Sequence, residues 1–304
     1  MESPCRSDYN RISRKFFEVN SHDFSDSALI VVGHGSTLNS ESSAPTYKHC
    51  DEIRRRRIFL QVLESFWKLE PSICGVTRGV SAGRAFVVPL FISDGYFTQQ
   101  VIPRELGLCP AGAPEFSRTA IVDGRRITYC EPVGTHSSMT RVILSMANEV
   151  VQKHPFPRAP KPSESTLFIA GHGTGNNENS RKSIEIQVEL IRAMNRYSNV
   201  FPLFMEEEPR IERCYEMALT RHLVIVPFFI SDGLHSYEDI PMMLGEPEKN
   251  VRERLRLGQP TWPNPSEKRG KLVWYSASIG DEPLIADVIL NRVREVCSSE
   301  EPTC

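Results

Sequence analysis

Four short stretches of the chain set chemically active side chains where a backbone turn would expose them. "LIVVGHGST", Leu29 to Thr37, and "LFIAGHGTG", Leu167 to Gly175, each hold a histidine between two glycines directly after an apolar run. Glycines there let the backbone turn sharply and leave the imidazole uncovered. "FMEEEP" carries Glu206, Glu207 and Glu208, and "SDGLHSYEDIP" carries His235 and Asp239. Two imidazoles and a carboxylate suit borderline divalent ions such as Co2+, Ni2+, Zn2+ or Fe2+. The same set can take up protons near neutral pH. His172, His235 and Glu206 are therefore the candidate catalytic and metal-binding residues, with His34, Glu207 and Asp239 as secondary candidates. Asp239 either orients the imidazole of His235 or caps the helix that "IPMML" begins, which is the simpler role.

The elements that must position these residues are written twice. His34 and His172, Pro71 and Pro209, and Gly95 and Gly233 are each separated by the same offset, 172 − 34 = 138. "VVPLFISDG" from Val87 matches "IVPFFISDG" from Ile225 at seven of nine positions. Further on, Gly134 of "YCEPVG" pairs with Gly280 of "YSASIG" at 280 − 134 = 146, so about eight residues enter the second copy after Pro241. The polar, Pro-rich "GEPEKNVRERLRLGQPTWPNPSEKRG" is the expected insertion and reads as a loop. A period this long indicates duplicated domains, because solenoid repeats run about 20 to 50 residues.

Within each copy, apolar runs such as "LVIVPFFI" read as strands buried on both faces, and "SRKSIEIQVELIRAM" has apolar residues at helical spacing. That alternation predicts an α/β fold: two similar domains, each a parallel four-stranded sheet flanked by helices, related by a pseudo-twofold axis. Ligands of such sheets sit at the carboxyl ends of the strands, where the Gly-His-Gly and Ser-Asp-Gly turns fall. The expected organisation is an N-terminal extension over 1–27, a first domain over 28–153, a Pro-rich linker over 154–165 and a second domain over 166–304. Each half is expected to bury a core of its own.

The copies differ where chemistry is concerned. Subtracting the offset maps His235 to Phe97 (235 − 138 = 97), Glu206 to Lys68 and Asp239 to Val101. His34 is kept, so the first copy reads as a degenerate partner whose turn retains its glycines for backbone reasons.

Composition narrows the field of functions. The chain has 304 residues, 40% hydrophobic and 24% charged, with a net charge of −2, which suggests neither nucleic acid nor a membrane surface as partner. No apolar run approaches the roughly 18 residues of a spanning helix, and the N-terminus lacks the apolar core of a signal peptide, so the cytoplasm is the expected compartment. Eight scattered cysteines include no C-x-x-C pair and read as reduced thiols. "GVSAG", Gly79 to Gly83, matches the serine-hydrolase pattern but precedes a strand instead of following one. No P-loop occurs. "RRRR", Arg54 to Arg57, reads as a solvated helix face or as an anion-binding patch, and His49, His136 and His222 have no spaced partners.

"GHGST", "GHGTG", "FMEEEP" and "PFFISDGLHSYEDIP" together resemble the class II chelatases of tetrapyrrole biosynthesis, in particular the CbiX-type sirohydrochlorin chelatases. The resemblance covers about residues 28 to 295. It implies insertion of a divalent metal, Co2+ first and Fe2+ next, into sirohydrochlorin without ATP, in cobalamin or siroheme biosynthesis. The reaction would take place in a cleft between two α/β halves. It also implies that the metal is a substrate with no cofactor permanently bound, that the family histidines fall on His172 and His235 and the family glutamate on Glu206 or the adjacent Glu207, and that the protein is a monomer or weak dimer. Some two-domain members carry the histidine pair in the first half, which Phe97 excludes here. The competing readings are a metal or tetrapyrrole carrier without turnover and, through "GVSAG", a serine hydrolase.

Overall fold

The computed structural model describes residues 23–37, 39–109, 115–173 and 178–300. Most of the N-terminal extension, Cys5, Cys304 and the end of the second Gly-His-Gly motif, Thr174 and Gly175, lie outside the described residues. Each copy forms one sheet. The first is built from β1 (Ser27–Gly33), β2 (Gln61–Phe66), β3 (Arg84–Pro89), β4 (Thr119–Val122) and β5 (Arg125–Tyr129), in the order β2-β1-β3-β5-β4. The second is built from β6 (Ser165–Gly171), β7 (Asn199–Phe204), β8 (His222–Pro227), β9 (Ser266–Lys268) and β10 (Lys271–Tyr275), and repeats that order as β7-β6-β8-β10-β9.

Four strands in each sheet are parallel, as expected, and a fifth corrects the predicted count. β4 and β9 run antiparallel to β5 and β10. Two-residue turns make these hairpins, Asp123-Gly124 and Arg269-Gly270, all four residues at positive φ. That backbone matches the twist of a hairpin. Both added strands are short edge strands, too brief for a clear alternating pattern in sequence.

Among the described residues, five helices of two or more turns cover the sheets: α1 (Ala44–Arg56), α2 (Met139–Lys153), α3 (Glu178–Ala193), α4 (Glu248–Arg256) and α5 (Ile285–Glu300). α4 corrects the reading of the insertion as a loop. Pro247 sits just before it and the Lys, Arg, Glu and Leu that follow are good helix formers, with Val251 buried. No described helix is long and apolar enough to cross a membrane.

Each half buries a core of its own, and a third cluster joins the two. Alternate residues of β1 face opposite sides: Ala28, Ile30 and Val32 enter a cluster belonging to the first half, whereas Leu29 and Val31 enter one shared by both halves. The shared cluster exists because the last helix of each copy crosses over. α2 packs on β8 and β10 of the second sheet, and α5 packs on β3 of the first and on α1. Fully burying one aliphatic side chain contributes about 1.5–3 kcal/mol. Val142, Ile143, Val288, Ile289 and Val293 thus commit the two halves to each other.

Reciprocal hydrogen bonds show the twofold relation directly, as in an isologous interface. His49 Nε2 donates to the Gly280 carbonyl at 2.7 Å, and Gln187, its equivalent at 49 + 138, donates to the Gly134 carbonyl at 3.5 Å. His49, unassigned from sequence, is therefore a buried seam residue; burial pushes its pKa down and keeps it a neutral donor.

Candidate active site

His172 directly follows β6, and two glycines explain its placement. A Cβ on Gly171 would lie 2.2 Å from Ile184 Cδ1, so the first glycine lets α3 close on the strand end. Gly173 has φ +61, in the left-handed region. The turn it makes brings the His172 Nδ1–H to the Gly173 carbonyl at 3.0 Å. His235 opens a single π-helical turn, His235–Asp239, after β8. Wide turns of this kind present side chains that a regular helix would stack away. Its Nδ1–H donates to Asp239 Oδ2 at 2.7 Å. Asp239 makes no capping bond to the helical turn that follows, so the simpler sequence reading of this residue is corrected.

The two imidazoles meet edge to face, with centroids 5.0 Å apart and planes at 83°. With each Nδ1–H engaged, Nε2 is the nitrogen left to offer a lone pair when the ring carries one proton. Glu206 and Glu207 separate in role. The Glu206 backbone N–H donates to the His172 carbonyl at 3.1 Å, and its side chain, 56% exposed, brings Oε2 to 3.7 Å from His172 Nδ1. Glu207 turns inward, packs under Gly173 and pairs with Arg181 at 3.1 Å. Among the described residues no three His, Cys, Asp or Glu side chains form a closed metal cage.

His34, His172 and His235 line one cleft of about 570 Å3 between the halves, with Phe91, Tyr96, Phe97 and Phe229. A second cavity, about 590 Å3, lies between α2 and the segment after α4 and contains none of the candidate residues. In the first copy the ring geometry of the histidine pair is preserved with carbon in place of nitrogen. His34 donates Nδ1–H to the Gly35 carbonyl at 2.9 Å and meets Phe97 edge to face at 5.4 Å and 76°. The Lys68 N–H donates to the His34 carbonyl at 3.0 Å, as Glu206 does in the second copy.

Set beside known proteins, the chain matches the CbiX family model twice, over residues 28–150 and 166–296. The chain belongs to the CbiX family. The probable sirohydrochlorin cobaltochelatase of Halobacterium salinarum is 40% identical over 278 residues, covering 88% of this chain and 91% of that protein. Among solved structures, DR2241 of Deinococcus radiodurans, described as a multi-domain protein with structural similarity to chelatases, aligns at TM-score 0.70 and 26% identity over 88% of this chain and 54% of that one. SirB from Bacillus subtilis with Fe3+ aligns at TM-score 0.62 and 18% identity, over 90% of this chain and 96% of that one. The latter likeness carries the fold.

Other sequence candidates fall outside this CbiX cleft. Ser81 of "GVSAG" donates to Gln61 Oε1 at 3.0 Å and engages no base. Arg54 pairs with Asp51 and Glu64, Arg55 with Glu52, and Arg56 with Glu52 and with Asp287 of α5, so three of the four arginines serve α1 and its seam. His136 bridges to Glu295, and His222 Nδ1 donates to the Glu164 carbonyl. The buried thiols are inert: burial pushes Cys50 and Cys130 well up and Cys214 up to about 12. Cys130→Ser and Cys214→Ser are expected to keep wild-type metallation in whatever fraction folds. An absorbance assay normalised to folded protein checks this, and lost turnover in folded protein would reveal a thiolate ligand.

Sequence reasoning passed over the aromatic residues of the cleft. Phe91 and Phe229 are related by the same offset of 138; Phe91 stacks on Phe97 and Phe229 meets His235 at a tilt, each at 6.2 Å. Applying the offset to aromatic positions, and not only to polar ones, was the available signal.

Proposed function

We propose that this CbiX-family chain inserts Co2+, or next Fe2+, into sirohydrochlorin without ATP, with His172, His235 and Glu206 carrying the reaction. The observation that supports it is the pair of imidazoles, each with Nδ1–H engaged and, among the described residues, no partner on Nε2, set at strand ends in the cleft between the halves. Metallation removes two N–H protons from the macrocycle while a partly dehydrated cation is delivered, and a neutral Nε2 serves as proton acceptor and as transient ligand. A closed cage would trap the ion; two imidazoles with an exposed carboxylate beside them leave positions for the pyrrole nitrogens. Glu206, outermost of the three, attracts the cation and can pass protons to water. The metal is substrate, no resident cofactor is required, and the chain acts as a monomer or weak dimer.

The relatives' names agree in kind: a probable sirohydrochlorin cobaltochelatase in Halobacterium salinarum, a sirohydrochlorin cobaltochelatase in Methanopyrus kandleri and a sirohydrochlorin ferrochelatase in Bacillus subtilis. Which metal is used depends on supply as well as on donors, because imidazole and carboxylate accept several first-row ions. Anaerobic absorbance assays of sirohydrochlorin with Co2+, Fe2+ and Ni2+ in parallel test the proposal. Metal-dependent conversion of the spectrum is expected, fastest with Co2+. Binding of sirohydrochlorin with no conversion by any ion would make the protein a carrier.

A further inference from the structure

The first copy is not a vacant relic of the second. Phe97 stands where His235 stands, and it is held from four sides: Trp67 at 4.7 Å, His34 at 5.4 Å, Tyr96 at 5.7 Å and Phe91 at 6.2 Å between ring centroids. The polar support of the second copy is removed along with the imidazole, since Asp239 corresponds to Val101, which is buried. Charge is inverted as well. Lys68, in the backbone position of Glu206, lays its ammonium 4.4 Å over the Trp67 ring. Nitrogen, carboxylate and carboxylate are thus all replaced, by a packed aromatic cluster and a cation, on a turn of the same geometry. His34, Phe91, Tyr96 and Phe97 open on the same cleft as His172 and His235, and Tyr96 is 59% exposed there.

Resting on the reading of the cleft as a chelatase site, we infer that the two copies have divided the substrates between them. The second half takes the cation, and the first half is a binding face for the macrocycle, with Phe97 as its stacking residue and Lys68 as its carboxylate partner. A planar conjugated polyanion gains dispersion and quadrupole contact from an aromatic wall and Coulomb attraction from a lysine. Phe97 also withholds a second nitrogen from this side, so His34 stands there without an imidazole partner while the histidine pair faces it from the other wall. The macrocycle then lies between the aromatic wall and the imidazoles, with one face toward the metal.

The test separates the two substrates. Metal-free sirohydrochlorin is titrated anaerobically into the full chain, followed by its own absorbance, and steady-state kinetics vary sirohydrochlorin and Co2+ independently. Phe97→Ala is expected to weaken macrocycle binding about tenfold and to raise KM for sirohydrochlorin alike, with KM for Co2+ within about twofold of wild type. Phe97→Tyr keeps the ring and is expected to stay within about twofold on both. Lys68→Glu is expected to weaken macrocycle binding and to flatten its salt dependence, whereas Glu206→Gln is expected to alter KM for Co2+ and spare macrocycle affinity. Wild-type affinity in Phe97→Ala, an equal rise in both KM values, or a Phe97→Tyr variant as weak as Phe97→Ala would overturn the assignment. Failure of the chelatase reading looks different: Phe97-dependent binding of sirohydrochlorin with no metal turnover in the wild type.

Discussion

Replacing His172 or His235 by Ala is expected to lower metallation by roughly two or more orders of magnitude each, the scale of a lost general base. The rings are 5.0 Å apart and act on one macrocycle, so the double variant is expected to lose less than the product of the single losses. His34→Ala should cost much less, because its ring partner is Phe97 and its Nδ1–H goes to the Gly35 carbonyl. Asp239→Asn tests the 2.7 Å contact: an amide can still orient the ring but cannot stabilise a proton taken up there, and a loss of about tenfold or more is expected. Initial rates under anaerobic conditions, with thermal melting to confirm folding, decide the order. A His34→Ala variant as inactive as His172→Ala would mean that both copies donate to one shared centre.

Gly280→Ala is expected to damage stability and activity together. A Cβ at Gly280 would lie 1.4 Å from the Ile230 carbonyl oxygen, and one at Gly134 would lie 1.9 Å from the Ile92 carbonyl oxygen. Both obstacles are backbone, so a whole loop must move. That loop is "FISDG", which leads from β8 to the turn carrying His235, so displacement reaches the imidazole. The carbonyl of Gly280 also receives the His49 bond across the seam. Overpacking against fixed backbone costs about 3 kcal/mol or more, which for a chain of this size lowers Tm by about 5–10 °C. Gly79→Ala is the control: nothing lies within 4 Å of its Cβ position, and a change within about 0.5 kcal/mol is expected. Differential scanning calorimetry of both variants, with turnover measured below the transition, distinguishes the cases. A Gly280→Ala protein that melts with the wild type would show that the loop yields freely.

Much of the architecture was legible because a duplication prints its own alignment. The offset of 138 pairs the strand ends that carry the histidine and Ser-Asp-Gly turns and maps His235 to Phe97. Less was legible at short elements. β4 and β9 have four and three residues, too few for an alternating pattern, and the helix in the insertion was hidden by the prolines around it. The candidate residues were found as types and spacings; their partners were not. For Asp239 the spacing favoured a cap over an orienting role, and two adjacent glutamates are indistinguishable by spacing alone.

The sequence by itself determined that two α/β copies exist, that their histidine turns fall at strand ends and that the second copy alone keeps both imidazoles. Periodicity and the glycine positions suffice for that, because they act within one copy and at short range. Only the tertiary structure decided that α2 and α5 exchange sheets, that His49 and Gln187 bind the opposite glycines, and that Glu207 faces Arg181 while Glu206 faces His172. These are contacts between residues far apart in the chain or choices between neighbouring side chains. No local pattern encodes them, since the free energy that selects them comes from burying surface between the halves.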